Sequence, residues 1–106
     1  MNYKITRYDD VKFDLAAILD LVGNYAGYDV GKRKVGEIEV TFSGLSRFPH
    51  LGSRRDDIFP GLRVIQSGEK AIVCFVVNDG DRIVRIICVT YAGQDWQRIA
   101  RERRED

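Results

Sequence analysis

The stretch Lys70-Ala71-Ile72-Val73-Cys74-Phe75-Val76-Val77-Asn78-Asp79-Gly80-Asp81-Arg82-Ile83-Val84-Arg85-Ile86-Ile87-Cys88-Val89-Thr90-Tyr91 governs the architecture of this chain. Two runs rich in β-branched and aromatic residues flank Asp79-Gly80, a strong signal for a hairpin turn. Lys70 to Val77 and Ile83 to Tyr91 are therefore expected as neighbouring antiparallel strands. Both are apolar at nearly every position, so both faces of the sheet should be covered. A tight turn at Asn78–Asp81 sets Cys74 opposite Arg85, which leaves Cys74 and Cys88 unpaired. Each then reads as a small buried apolar side chain.

Upstream of this hairpin, Leu62-Arg63-Val64-Ile65 reads as a third strand, joined to it by a turn over Gln66–Glu69. Before that strand, residues 49–61 hold both prolines and read as an ordered loop. The N-terminal Lys4-Ile5-Thr6-Arg7-Tyr8 alternates as a short strand, and Asp9 or Asp10 can cap a helix starting beside them. Val11, Leu15, Ile18, Leu19, Val22 and Tyr25 recur at spacings of three and four, one apolar stripe on that helix. Val35, Ile38, Phe42, Leu45 and Phe48 form a second stripe, with Lys32, Arg33, Lys34, Glu37 and Glu39 outside. The short segment Ala26–Asp29 between them predicts an antiparallel helical hairpin, and Pro49 ends the second helix. Gln94 to Arg104 has helical character, with Trp96, Ile99 and Ala100 as its apolar members. The expectation is an α+β fold. It has an N-terminal strand, an antiparallel helical hairpin packed on a twisted, mostly antiparallel sheet in the order β-α-α-β-β-β, and a short C-terminal helix.

The 106 residues suit one domain spanning 1–106. With 44% apolar residues the chain can build a core. No run is long enough to cross a bilayer and no secretory signal is visible, so a cytoplasmic protein without membrane contact is expected. Seventeen basic residues against 16 acidic ones give a net charge of +1. That balance argues against direct, sequence-specific DNA binding by this chain alone. One histidine and no Cys-x-x-Cys spacing leave no expected metal site, and no phosphate-binding glycine loop points to a cofactor.

Candidates for chemistry are few. Asp9/Asp10 sit at a helix start, and Asp56/Asp57 beside Arg54/Arg55 read as a solvated ion-pair cluster. His50 has no visible partner and is a poor acid or base. Arg63 and Arg85 would form a small anion-gripping patch if they share a face, and otherwise are solvated arginines. Trp96 reads as an anchor for the last helix or as a partner-binding hot spot. The anchor is preferred, because a short helix needs packing to persist.

Phe48-Pro49-His50-Leu51-Gly52, then Gly61-Leu62-Arg63, then Val89-Thr90-Tyr91-Ala92-Gly93-Gln94-Asp95-Trp96 succeed one another at a spacing that resembles ParE/RelE superfamily toxins, closer to ParE. The resemblance covers Lys4 to about Ile99. It implies the toxin of a type II toxin–antitoxin system, of the kind that stabilises plasmids or prophages. Such a toxin arrests growth and is neutralised by a cognate, DNA-binding antitoxin encoded by a neighbouring gene. RelE-like members cleave messenger RNA on the ribosome with several basic residues and a tyrosine or histidine. ParE-like members lack that set and bind DNA gyrase. The strand Ala71 to Phe75 has no arginine, and Ala92-Gly93-Gln94 has no basic residue. Cations are needed to stabilise charge at phosphate. The expectation is therefore a gyrase inhibitor that is not an enzyme, with Arg85, Tyr91, Gln94, Trp96 and Arg98 as its target-binding surface. The alternatives are a ribosome-dependent endoribonuclease using Arg63, Arg85 and Tyr91, or an inactive regulatory relative. Tyr91 stands where ParE proteins often have histidine.

Overall fold

The computed structural model describes residues 2–105. In chain order the elements are β1 (Lys4–Arg7), α1 (Val11–Ala26), α2 (Tyr28–Arg47), β2 (Ser53–Arg54), β3 (Leu62–Ser67), β4 (Ala71–Asn78), β5 (Ile83–Tyr91) and α3 (Trp96–Glu102). The fold is the α+β arrangement expected, with one extra short strand, β2, inside the region read as loop. The five strands lie in the order β1-β5-β4-β3-β2. All neighbours are antiparallel except β1, which pairs parallel to β5. The long α1–α2 excursion between β1 and the rest of the sheet makes that pairing possible, since parallel neighbours need a crossover.

α1 and α2 meet through a single residue, Gly27, at φ 98°, a conformation that costs glycine little. The connection is thus tighter than the Ala26–Asp29 segment suggests. Gly31 on α2 lies so close to α1 that a Cβ there would stand 2.9 Å from the Leu19 carbonyl oxygen. Val11, Leu15, Ile18 and Val22 of α1 and Ile38, Phe42 and Leu45 of α2 bury against Val73, Phe75, Val84, Ile86 and Val89 of the sheet. Both stripes are placed as their spacing predicts, except at their ends. Tyr25 is 85% exposed and Phe48 is 59% exposed. Asp10 occupies the N-cap of α1, but its side chain makes no capping hydrogen bond.

The opposite face of the sheet carries a second core of Phe59, Leu62, Cys74, Ile87, Cys88 and Ala100, with Trp96 and Ile99 packed on it. α3 roofs this face, so the central strands are covered on both sides as their composition requires.

The β4–β5 register differs from the sequence expectation. Asn78 pairs with Ile83, leaving a four-residue loop from Asp79 to Arg82 in which Arg82 takes a positive φ of 55°. A bulge lies further along the ladder: Cys74 pairs with Cys88 and Phe75 with Ile86, so Ile87 has no cross-strand partner. Cys74 therefore faces Cys88, not Arg85. The bulge also explains how Val84, Ile86, Val89 and Tyr91 all turn toward the hairpin, because the extra residue resets the two-residue alternation.

Candidate functional site

Arg63 and Arg85 do not share a face. Leu62 and Val64 pack in the α3-side core and Ile65 in the hairpin-side core, so alternation puts Arg63 on the hairpin side. Arg85, between Val84 and Ile86 of the hairpin-side core, projects to the other. Each is occupied within the molecule. Arg85 makes a two-pronged ion pair with Glu105, Nε to Oε1 at 2.6 Å and Nη2 to Oε2 at 3.0 Å. It also donates to the Arg7 carbonyl. Its guanidinium holds the Glu105 carboxyl below the usual range through that hydrogen bond. Arg63 donates from Nη2 to the His50 carbonyl at 2.6 Å and more weakly to that of Leu51. Tyr91 pairs with Ala71, which faces Ser67 on β3. At about 3.3 Å per residue, Tyr91 lies roughly 20 Å along β5 from Arg85. The structure does not bring Arg63, Arg85 and Tyr91 together.

The surface expected to bind a target divides in the same way. Gln94, Trp96 and Arg98 lie at the corner where β5 gives way to α3, whereas Tyr91 turns to the hairpin side and lines the groove there. The Gln94 Oε1 accepts from the Tyr91 N–H at 2.9 Å. Asp95 caps α3 by accepting from the Arg98 N–H, and Arg98 pairs with Glu102 at 2.8 Å. Trp96 packs into the α3-side core with the Arg55 guanidinium 5.0 Å from its ring, which is the anchoring role. Arg85 stands apart, toward the far end of the C-terminal segment.

Three features escape sequence reading. First, His50 has partners: its Nε2 lies 2.8 Å from Oδ1 of Asp79, which also accepts from the Tyr3 hydroxyl at 2.7 Å. Together these two hold the Asp79 carboxyl low, the tyrosine hydrogen bond contributing most. Second, Arg103 pairs with Asp14 through both guanidinium nitrogens, at 2.7 and 2.9 Å. Third, a groove of about 490 Å³ opens between the helical hairpin and the β3–β4 turn. Leu21, Val22, Tyr25, Val30, Ile38, Ala71 and Tyr91 line it, and Lys34, Glu37, Glu69 and Lys70 add charge around it. Of the α1 residues, Leu21 in the groove wall is 52% exposed, and Phe13, outside the groove, is 62% exposed. Arg54/Asp56 and Arg55/Asp57 form the local ion pairs their sequence suggests. Among the described residues no group of three or more His, Cys, Asp or Glu could hold a metal ion. No helix among them is long and apolar enough to cross a membrane.

The arrangement is thus a helical hairpin on one face of a mostly antiparallel sheet and a short helix on the other. No protein-family model and no curated protein matches the sequence. Solved structures do match its fold. A chain of the chromosomal ParDE toxin–antitoxin system from P. aeruginosa superposes with a TM-score of 0.73 at 18% identity, over 86% of this chain and 97% of that one. A mutant of the E. coli toxin RelE in the free state gives 0.66 at 13% identity, over 92% of each chain. The toxin–antitoxin complex RelBE2 from Mycobacterium tuberculosis gives 0.59 at 18%, over 87% of this chain and 100% of that one. The chain thus has the ParE/RelE toxin fold, and of these three the ParDE neighbour superposes best.

Proposed function

We propose that the protein, acting as one domain, is the toxin of a type II toxin–antitoxin system. It arrests growth by binding DNA gyrase and needs no catalysis of its own. One observation carries the reading: the charged groups an RNA-cleaving site would use are apart and engaged. Arg85 is held by Glu105 and Arg63 by loop carbonyls, and Tyr91 sits far from both. Each charge-stabilising donor missing from a transition state typically costs about 2.7–4 kcal/mol. The Gln94–Arg98 corner, where Trp96 and Arg98 stand beside polar groups, suits binding to a large protein partner. The groove and the exposed α1 face suit an amphipathic helix of a cognate antitoxin from a neighbouring gene.

The test sets purified protein against two targets: gyrase in a supercoiling assay, and translating ribosomes with a defined message. Inhibited supercoiling, lost in Arg98→Ala with folding intact, is expected. Codon-specific cuts that vanish in Tyr91→Phe or Arg85→Ala would overturn the reading in favour of an endoribonuclease. Normal growth on expression, with neither activity, would favour an inactive regulatory relative.

A further inference from the structure

Cys74 and Cys88 face each other directly across β4 and β5. Both are fully buried. Interaction with the Cys88 thiol, together with burial, pushes the Cys74 thiol far above the ordinary range. Since the thiolate is the reactive form, the pair is inert while packed. Its cover is α3: Ala100, with Trp96 and Ile99, closes the same apolar cluster. α3 has only seven residues, too few to persist without packing. It is tied down by Arg103, which bonds Asp14 and the Ile87 carbonyl, and just beyond its end by Glu105 on Arg85. A short terminal element held by a few contacts opens at lower cost than the whole fold.

We propose that Cys74 and Cys88 form a redox-active dithiol gated by α3, reacting with low-molecular-weight disulfides when that helix lifts from the sheet. One cysteine thiolate attacks a sulfur of the small disulfide, forming a mixed disulfide and releasing one small thiol. The second cysteine then attacks the protein sulfur of that mixed disulfide and releases the other. The protein loses two hydrogens and two electrons, and the small disulfide is reduced to two thiols. Directly opposed residues on antiparallel strands have Cβ atoms about 4.5–5.5 Å apart. A disulfide wants roughly 3.5–4.5 Å. The bond must therefore draw the strands together, and the neighbouring bulge at Ile87 gives them room to move. A bond formed under such tension is readily reduced, as a reversible switch requires.

The experiment treats the full chain with oxidised glutathione and reads the product by mass spectrometry, while thiol labelling by dithiodipyridine gives the opening rate. The expected product is an intramolecular disulfide, replaced by a glutathione adduct on Cys74 in Cys88→Ser. Labelling should speed up about tenfold or more in Arg103→Ala and Trp96→Ala, which loosen α3. Leu15→Ala, which weakens the hairpin on the other face, should leave it nearly unchanged. Equal acceleration by Leu15→Ala would mean that the thiols react only through global unfolding, and the gate would be lost. Adducts on both cysteines with no internal bond would refute the dithiol.

Discussion

Asp14 and Arg103 together stand in for a missing strand. β1 pairs with β5 only as far as Ile86, and beyond it the edge of β5 would be bare. Asp14 Oδ2 accepts from the Val89 N–H at 3.0 Å, and Arg103 donates to the Ile87 carbonyl at 3.1 Å. The pair is nearly buried, with 13% and 15% of the two side chains exposed. Removing one member leaves a desolvated charge and an unpaired backbone group. Asp14→Ala should therefore cost about 2–4 kcal/mol in a denaturant melt, and a loss within the range of ordinary surface changes would contradict this role. The sequence marks neither partner, because 89 residues separate them. His50 was hidden for the same reason, its Asp79 partner lying 29 residues away. Asp79 also sets a pH dependence. Its carboxyl is held low in the fold by Tyr3 and His50. Its contribution is thus complete above the ordinary aspartate range and fades as pH falls through the depressed folded value. Melting temperatures of Asp79→Asn and the parent protein should differ at neutral pH and converge in strong acid. An unchanged gap in acid would assign the difference to packing.

Helices were the most legible elements, because their apolar spacing records the face they bury. The hairpin-side core uses Leu15, Ile18, Ile38 and Phe42 as the periodicity requires. Periodicity cannot say where an apolar stripe stops being covered, so Tyr25 and Phe48 look like core residues in sequence and are not. Phe42→Ala should cost about 3–5 kcal/mol by opening a cavity. Gly31 offers a sharper test of the hairpin, since a methyl there would press on the backbone of α1. Gly31→Ala should destabilise by about 1–3 kcal/mol through overpacking. That is opposite in sign to the gain alanine gives at an open helical site such as Gly36, where nothing lies within 4 Å. If both substitutions stabilise equally, the helices are further apart than described. Strand pairing was less legible. Asp79-Gly80 announced a hairpin correctly, but the loop takes in Arg82 as well, and the bulge at Ile87 leaves no mark in a run that is apolar throughout. The longer loop and the bulge together set Cys74 opposite Cys88.

The molecule presents two unlike surfaces. The hairpin side has an apolar groove, while the far side has α3 and the corner around Trp96, knitted by ion pairs. Neither surface could be assembled from sequence, since the groove needs α1, α2, the β3–β4 turn and the end of β5 together. The order of elements was readable, and so was their approximate extent. The parallel seating of β1 beside β5 was not, because no local signal records a partner so distant along the chain. If antitoxin and target use different surfaces, single substitutions should separate neutralisation from toxicity. Leu21→Glu and Tyr25→Glu place charge at positions already half or more exposed, so each should change stability by no more than about 0.5 kcal/mol. Growth arrest on expression should persist in both, while co-expression of the neighbouring antitoxin no longer rescues the cell. Arg98→Ala, at an exposed position of α3, should behave in reverse: arrest is weakened, and the antitoxin still captures the protein in a pull-down. Simultaneous loss of arrest and capture in Leu21→Glu, with the fold intact by circular dichroism, would show that one surface serves both partners. The division of labour between the two faces would then have to be abandoned.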